Sequence, residues 1–185
     1  MTLGERTNLY LTINQPDHRK YPNSKNFNLS YMRVIVAKVR DQSLEYSGGI
    51  NGSDKFLTFE TSLPTGTYLI LVEICTDLEK PPKLVIDAYG DKPVKFEALE
   101  IIPQDFATIQ TAVIRAYCKK TPRYPGLEER DFDKEGSKEI RRFFGHIHGI
   151  VFLYYVNYSN DSEVVEVVKE KSNMRLELSL PFRGF

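Results

Sequence analysis

The sequence predicts a mainly β protein: an antiparallel β-sandwich, then a helical connector, then a second, smaller or incomplete β module. Three observations predict it. Strand-length runs punctuated by turn residues fill the first hundred positions of the 185-residue chain, the spacing of an all-β sandwich. No long periodic segment separates those runs, which disfavours a parallel sheet built with crossover helices. The runs after Gly66 and after Gly149 are apolar on both faces, as strands covered from both sides must be.

Taken in order, Thr7–Asn14 alternates, with Leu9, Leu11 and Ile13 opposite Asn8, Tyr10 and Thr12, so it reads as a half-buried strand. Residues 15–31 are rich in Pro, Asn and Ser and read as a long loop. Met32–Arg40 is a second strand, and Asp41–Asp54, with Gly48-Gly49 and Asn51-Gly52, is read as a tight reversal. Lys55–Leu63 is a third strand. Leu63–Cys75 opens on a Pro64-Thr65-Gly66 turn, then sets Tyr68, Ile70, Val72 and Ile74 on one face and Leu69, Leu71 and Cys75 on the other. It reads as the central strand around which the rest is organised, with Cys75 pointing into a core. A Pro81-Pro82 break follows, then strands at Leu84–Tyr89 and Val94–Leu99.

The pattern changes at Pro103. Phe106, Ile109, Val113, Ala116 and Tyr117 recur at helical spacing, and the segment begins on Pro and Asp and ends on lysines, the order a helix dipole favours. Residues 121–133 read as a loop, and Asp133–Phe144 as a short second helix with Ile140, Phe143 and Phe144 inward. Ile150–Tyr158 reads as a second central strand, joined by alternating strands at 163–169 and 174–180. The expected domains are 7–101 (sandwich), 102–144 (connector) and 145–185 (second β module).

Lys plus Arg equals Asp plus Glu at 25 each, which argues against general nucleic-acid binding, a function that needs a cationic surplus. The longest apolar run is far below the roughly twenty residues of a membrane helix, and no apolar leader stands at the start. The expectation is a soluble, cytoplasmic protein without a transmembrane segment. Cys75 and Cys118 read as two reduced, mostly buried thiols, and the sequence leaves a disulfide between them open.

Several short elements occur together: Gln15-Pro16-Asp17-His18-Arg19 after a strand, Tyr31-Met32-Arg33 opening the next, Tyr46-Ser47-Gly48-Gly49, and Leu63-Pro64-Thr65-Gly66-Thr67-Tyr68 followed by Val72-Glu73. Their order and spacing resemble the β-sandwich domain that follows the protease core in calpain-type cysteine proteases. The style is closest to divergent calpain-like proteins of protists. Gly149–Ser159 resembles the start of a second, related module. The resemblance implies a C2-like antiparallel sandwich that packs on a protease core and is proposed to sense calcium or phospholipid. It does not imply proteolysis, because the catalytic core is missing.

The residues agree with that restriction. A cysteine protease needs a thiolate activated by a nearby imidazole, and neither cysteine has such a setting in sequence. Gly145-His146 resembles the Gly-His start of a calpain histidine motif over two residues only. His146 and His148 would share one strand face, a spacing compatible with zinc, but no further ligand is signalled, and an interface pair is the expectation. Calcium candidates are Asp41, Glu45 and Asp54 in one loop and Asp77, Glu79 and Asp91 near another; Lys80, Lys83 and Lys92 dilute the negative charge of the second group. Arg19, Lys20, Lys119, Lys120, Arg123, Arg141 and Arg142 are scattered basic groups that could meet acidic lipid or protein. Gly48-Gly49 lacks the helix and Gly-Lys-Ser/Thr of a phosphate loop.

The expected function is a non-catalytic interaction or scaffold module without cofactors. Its partners are proteins in a larger intracellular assembly, of a cytoskeletal or ciliary kind by analogy with the resembled family. Two alternatives stand beside it: a calcium- or phospholipid-responsive regulatory domain, and a fragment of a larger cysteine protease.

Overall fold

The computed structural model describes residues 1–16, 29–41, 43–75, 83–99, 103–120, 128–131 and 140–157. The expected strands at 163–169 and 174–180 lie outside the described residues. The chain divides into two compact units. Unit 1 comprises Met1–Glu100 with His148–Ile150, and unit 2 comprises Ile101–Ile147 with Val151–Phe185.

Unit 1 is an antiparallel β-sandwich. One sheet holds β5 (Phe56–Leu63), β2 (Thr7–Asn14) and β7 (Val85–Gly90), in that order. β2 buries every second residue, and Leu9, Leu11 and Ile13 are fully buried, as its sequence alternation requires. The other sheet runs β4 (Ser43–Gly52), β3 (Tyr31–Arg40), β6 (Gly66–Cys75), β1 (Thr2–Leu3) and β8 (Val94–Lys95). Leu3, Met32, Val34, Val36 and Tyr68 from this sheet meet Leu9, Leu11, Ile13, Leu57 and Leu63 from the first, forming the core. Pro64-Thr65 carries the chain from β5 in one sheet to β6 in the other. That turn is therefore a corner between layers and not a hairpin.

Three expectations change here. The first concerns the reversal at 41–54. Most of it is strand β4, paired along β3 with an irregularity between Val36 and Ala37, and the chain reverses at Asp41 (φ 36°). Its glycines mark close approach, as strand glycines often do. Gly48 has φ 147°, and a Cβ there would stand 2.6 Å from the Phe59 ring. A Cβ on Gly49 would collide with the Val34 carbonyl and stand 2.8 Å from the His148 ring.

The second change concerns the central strand. β6 occupies the middle of its sheet and is apolar on both faces, but β1 pairs with it only at Gly66 and Thr67. β3 pairs along its length with both β4 and β6, and Met32 through Lys38 are all buried. β3 is thus the strand covered from both sides. The third change is smaller: only Val94 and Lys95 of the expected 94–99 strand pair, and Phe96 and Leu99 are exposed.

In unit 2, α1 spans Pro103–Lys120, and Val113, Ala116, Tyr117 and Cys118 form its buried face. A three-stranded sheet runs β11 (Ile150–Asn157), β10 (Ile140–Ile147) and β9 (Glu128–Asp131). The second helix expected to end at Phe144 is not formed over Ile140–Phe144, which belongs to β10. Phe143, Gly145 and Ile147 are buried while Phe144 and His146 are exposed, a period of two that two adjacent phenylalanines disguise as an apolar cluster. The expected 121–133 loop contains β9, whose four charged residues hide a strand from any hydrophobic pattern. β11, expected to be central, is terminal among the described strands of its sheet.

The glycine geometry makes a paired prediction. Gly49→Ala should cost about 1–3 kcal/mol, because the opposing atom is backbone and cannot yield. Gly4→Ala should fall within about 0.5 kcal/mol of wild type, since nothing lies within 4 Å of its Cβ position. Urea unfolding of both variants measures the contrast.

Candidate functional site

Buried polar side chains are the first place to look for chemistry, since each must be paired or used. Among the described residues of unit 1 they are Thr7, Gln15, Ser30, Arg33 and Lys38. Gln15 follows β2. Its amide nitrogen donates to the Ser30 and Asp54 carbonyls at 2.9 Å each, and its amide oxygen accepts from the Ser30 N–H at 2.9 Å. One side chain therefore ties the end of β2 to the entry of β3 and the β4–β5 turn. Asp17, His18 and Arg19 of the same motif lie outside the described residues.

Arg33 lies on the face of β3 turned away from the core. It pairs with Glu73, its cross-strand neighbour on β6, and its Nε donates to the His148 carbonyl at 2.6 Å. Its guanidinium carbon sits 5.8 Å from the Tyr31 ring centre, and the Tyr31 hydroxyl donates to the same carbonyl at 3.3 Å. The His148 ring reaches Tyr46, with Nε2 and the tyrosine oxygen 2.6 Å apart. Tyr31, Arg33, Tyr46, Gly49 and His148 all belong to unit 1. The cluster satisfies a guanidinium and a carbonyl together, and its geometry is that of a structural clasp.

Lys38, further along β3 on the core side, donates from Nζ to the Thr65 carbonyl at 2.6 Å and lies 5.7 Å from the Tyr68 ring centre. The Tyr68 hydroxyl donates to the Pro64 carbonyl at 2.6 Å. Burial holds the Tyr68 phenol above its ordinary value of 10, because a phenolate loses hydration there.

The residues singled out in sequence fall elsewhere. Cys75, expected in a core, is exposed because β6 ends there, opposite Tyr31. Cys118 is buried in α1, and neither cysteine forms a disulfide. His146 and His148 do not share a strand face: His146 is on β10, while His148 (φ 45°) forms a turn with Gly149 (φ 78°). Asp41, Glu45 and Asp54 do not share a loop, since β4 intervenes. Asp41 and Asp54 stand at its opposite ends, roughly 30 Å or more apart at the rise of a strand. Glu45 pairs with Arg40 at 3.1 Å, and Asp91 accepts from the Asn8 amide and N–H at 2.9 Å each. Asp77 and Glu79 lie outside the described residues. Among the described residues no three His, Cys, Asp or Glu side chains are grouped to hold a metal, and no helix is long and apolar enough to cross a membrane.

The feature that sequence reading passed over is the outer face of the β5-β2-β7 sheet. Register places Tyr10 between Glu60 and Tyr89, Thr12 between Thr58 and Asp87, and Asn14 between Phe56 and Val85. Tyr10 is 45% exposed, Phe56 59%, Val85 55% and Tyr89 62%, so four large side chains stand in water on one pleated surface. The signal was present in Asn8, Tyr10 and Thr12, the polar half of the β2 alternation. It carried no weight until β5 and β7 placed their own outward residues alongside.

Two predictions test the internal assignments. Glu73→Gln should cost about 1–3 kcal/mol by leaving a buried guanidinium uncompensated. Arg33→Met with Glu73→Leu should cost less than the sum of the single changes, in a double-mutant cycle read by urea unfolding. Tyr68→Phe should lose about 1 kcal/mol at neutral pH with its hydrogen bond. The folded Tyr68 also holds its proton more tightly than an unfolded tyrosine. Its contribution is therefore complete below about pH 10 and declines as pH rises through the folded value. Stability should fall less steeply above pH 10 in Tyr68→Phe than in wild type; equal slopes would exclude the assignment.

Comparison of the chain with known protein families, with curated proteins and with solved structures finds no match.

Proposed function

We propose that unit 1 is a non-catalytic interaction module of the calpain β-sandwich type, acting as a structural part of a larger intracellular assembly. The observation that carries this reading is the exposed Tyr10, Tyr89, Phe56 and Val85 on the outer sheet face. Tyrosine and phenylalanine are enriched where proteins meet, since they bury large area at small entropic cost. The polar side chains add support. Gln15, Arg33 and Lys38, the buried groups best suited to chemistry, are hydrogen-bonded within the sandwich. The resemblance to calpain sandwiches agrees with this, because its marker residues Gln15, Arg33, Thr65 and Glu73 make those bonds, and Tyr31, Tyr46 and Tyr68 make further ones beside them. A cytoskeletal or ciliary assembly follows from the resembled family by analogy alone.

Affinity capture of the tagged full chain from its source cells tests the reading. A specific partner should be retained by wild type and reduced about tenfold or more by Tyr10→Ser, Phe56→Ser and Tyr89→Ser combined. Recovery of wild type alone, or equal recovery of the same partner by both proteins, would overturn it.

A further inference from the structure

We infer that the outer face of the β5-β2-β7 sheet docks an extended peptide segment bearing Arg or Lys, an inference that rests on the interaction-module reading and names its partner chemistry. The argument begins with charge. The face carries Glu60 and Asp87, with Asp91 at its margin, and the outward residues of the three strands include no Lys or Arg. Neutral donors hold these carboxylates. The Tyr10 hydroxyl donates to Glu60 at 2.9 Å, the Asn14 amide to Asp87 at 3.3 Å, and Asn8 to Asp91 at 2.9 Å. The ion pairs Arg33–Glu73 and Arg40–Glu45 both lie away from this face. The carboxylates are thus positioned without being neutralised. Glu60 also holds the Tyr10 phenol above its ordinary value of 10, by its hydrogen bond first and its charge second.

Geometry selects the occupant. Rows of outward residues repeat about every 6.8 Å along the strands, twice the rise per residue. An extended chain presents alternate side chains at the same interval and stays in step with these rows; the roughly 5.4 Å pitch of a helix does not. Glu60 and Asp87 flank β2 in adjacent rows, so an extended chain lying along β2 meets them two residues apart, each about 4.8 Å to one side and within reach of an Arg or Lys side chain. Tyr10 and Tyr89 lie side by side in the Glu60 row, where a guanidinium can stack on a ring while pairing with the carboxylate. The separation of the carboxylates argues against a divalent cation, which needs several oxygens converging on one point. Their sign argues against nucleic acid or acidic lipid.

The test is fluorescence anisotropy of the full chain with a labelled peptide of alternating Arg and Thr, beside a Glu-Thr peptide of equal length. The Arg-Thr peptide should bind and weaken as salt is raised, while the Glu-Thr peptide should not bind. Glu60→Gln with Asp87→Asn, both isosteric and exposed or half-buried, should leave the melting temperature unchanged and weaken binding about tenfold. Tyr89→Ser should weaken it about two- to fivefold. Absence of Arg-Thr binding, equal binding of both peptides, or unchanged binding by the carboxylate variant would overturn the inference. If the aromatic variants lose their captured partner while the Arg-Thr peptide does not bind wild type, the interaction module stands and only the cationic partner fails.

Discussion

The structure of unit 1 depends on burying β3 from both sides. Met32, Val34 and Val36 fill the space between the sheets, while Arg33, Ile35 and Ala37 are buried on the opposite face. A strand with neighbours on both edges and cover on both faces leaves no water for its polar side chains. Each such group must then find a partner inside the protein or destabilise it by about 1–3 kcal/mol. Arg33 meets this condition through Glu73 and the His148 carbonyl, and Lys38 through the Thr65 carbonyl and the Tyr68 ring. The Lys38 bond holds the Pro64-Thr65 corner against β3.

This constraint explains why the sequence points at β6, the middle strand, although β3 is the strand buried on both faces. Leu69-Ile70-Leu71-Val72 announces an apolar strand without help from anything else. β3 interrupts its apolar pattern with Arg33 and Lys38, so it reads as partly solvated, although both charges are buried. Hydrophobic periodicity records the residue type and not the partner that makes burial tolerable. The β2 alternation, the β5 strand and α1 were legible because their local pattern matched their final environment. β4 was not, because Gly48 and Gly49 signal a turn, and only Phe59, Val34 and His148, distant in sequence, show why a side chain is excluded there.

Candidate chemistry was the least legible layer. Single residues were visible, yet their grouping is set by register and by corners. The Asp41–Asp54 carboxylates dispersed once β4 formed between them. His146 and His148 separated when the strand ended at Ile147. Tyr46 and His148 converged although 102 residues separate them. Cys75 moved from an expected core position to the surface because a strand end, unlike its middle, exposes whichever residue falls there. A motif such as Gln15 or Tyr46-Ser47-Gly48-Gly49 carries information, but it is information about how the sandwich closes.

The contrast between the two sheet faces available to polar groups bears on function. On the outer side of β3, a cation and a carboxylate are brought together and largely removed from water, so their charge is spent on the fold. On the outer side of β2, carboxylates are held by a phenol and two amides and remain unneutralised. A sandwich needs only the first arrangement for stability, since exposed pairs contribute little. Neutral donors confer position while preserving the field, and position with an uncancelled field is what a recognition surface requires. The same fold thus separates the polar residues that close the sandwich from those that keep their charge on its outer face.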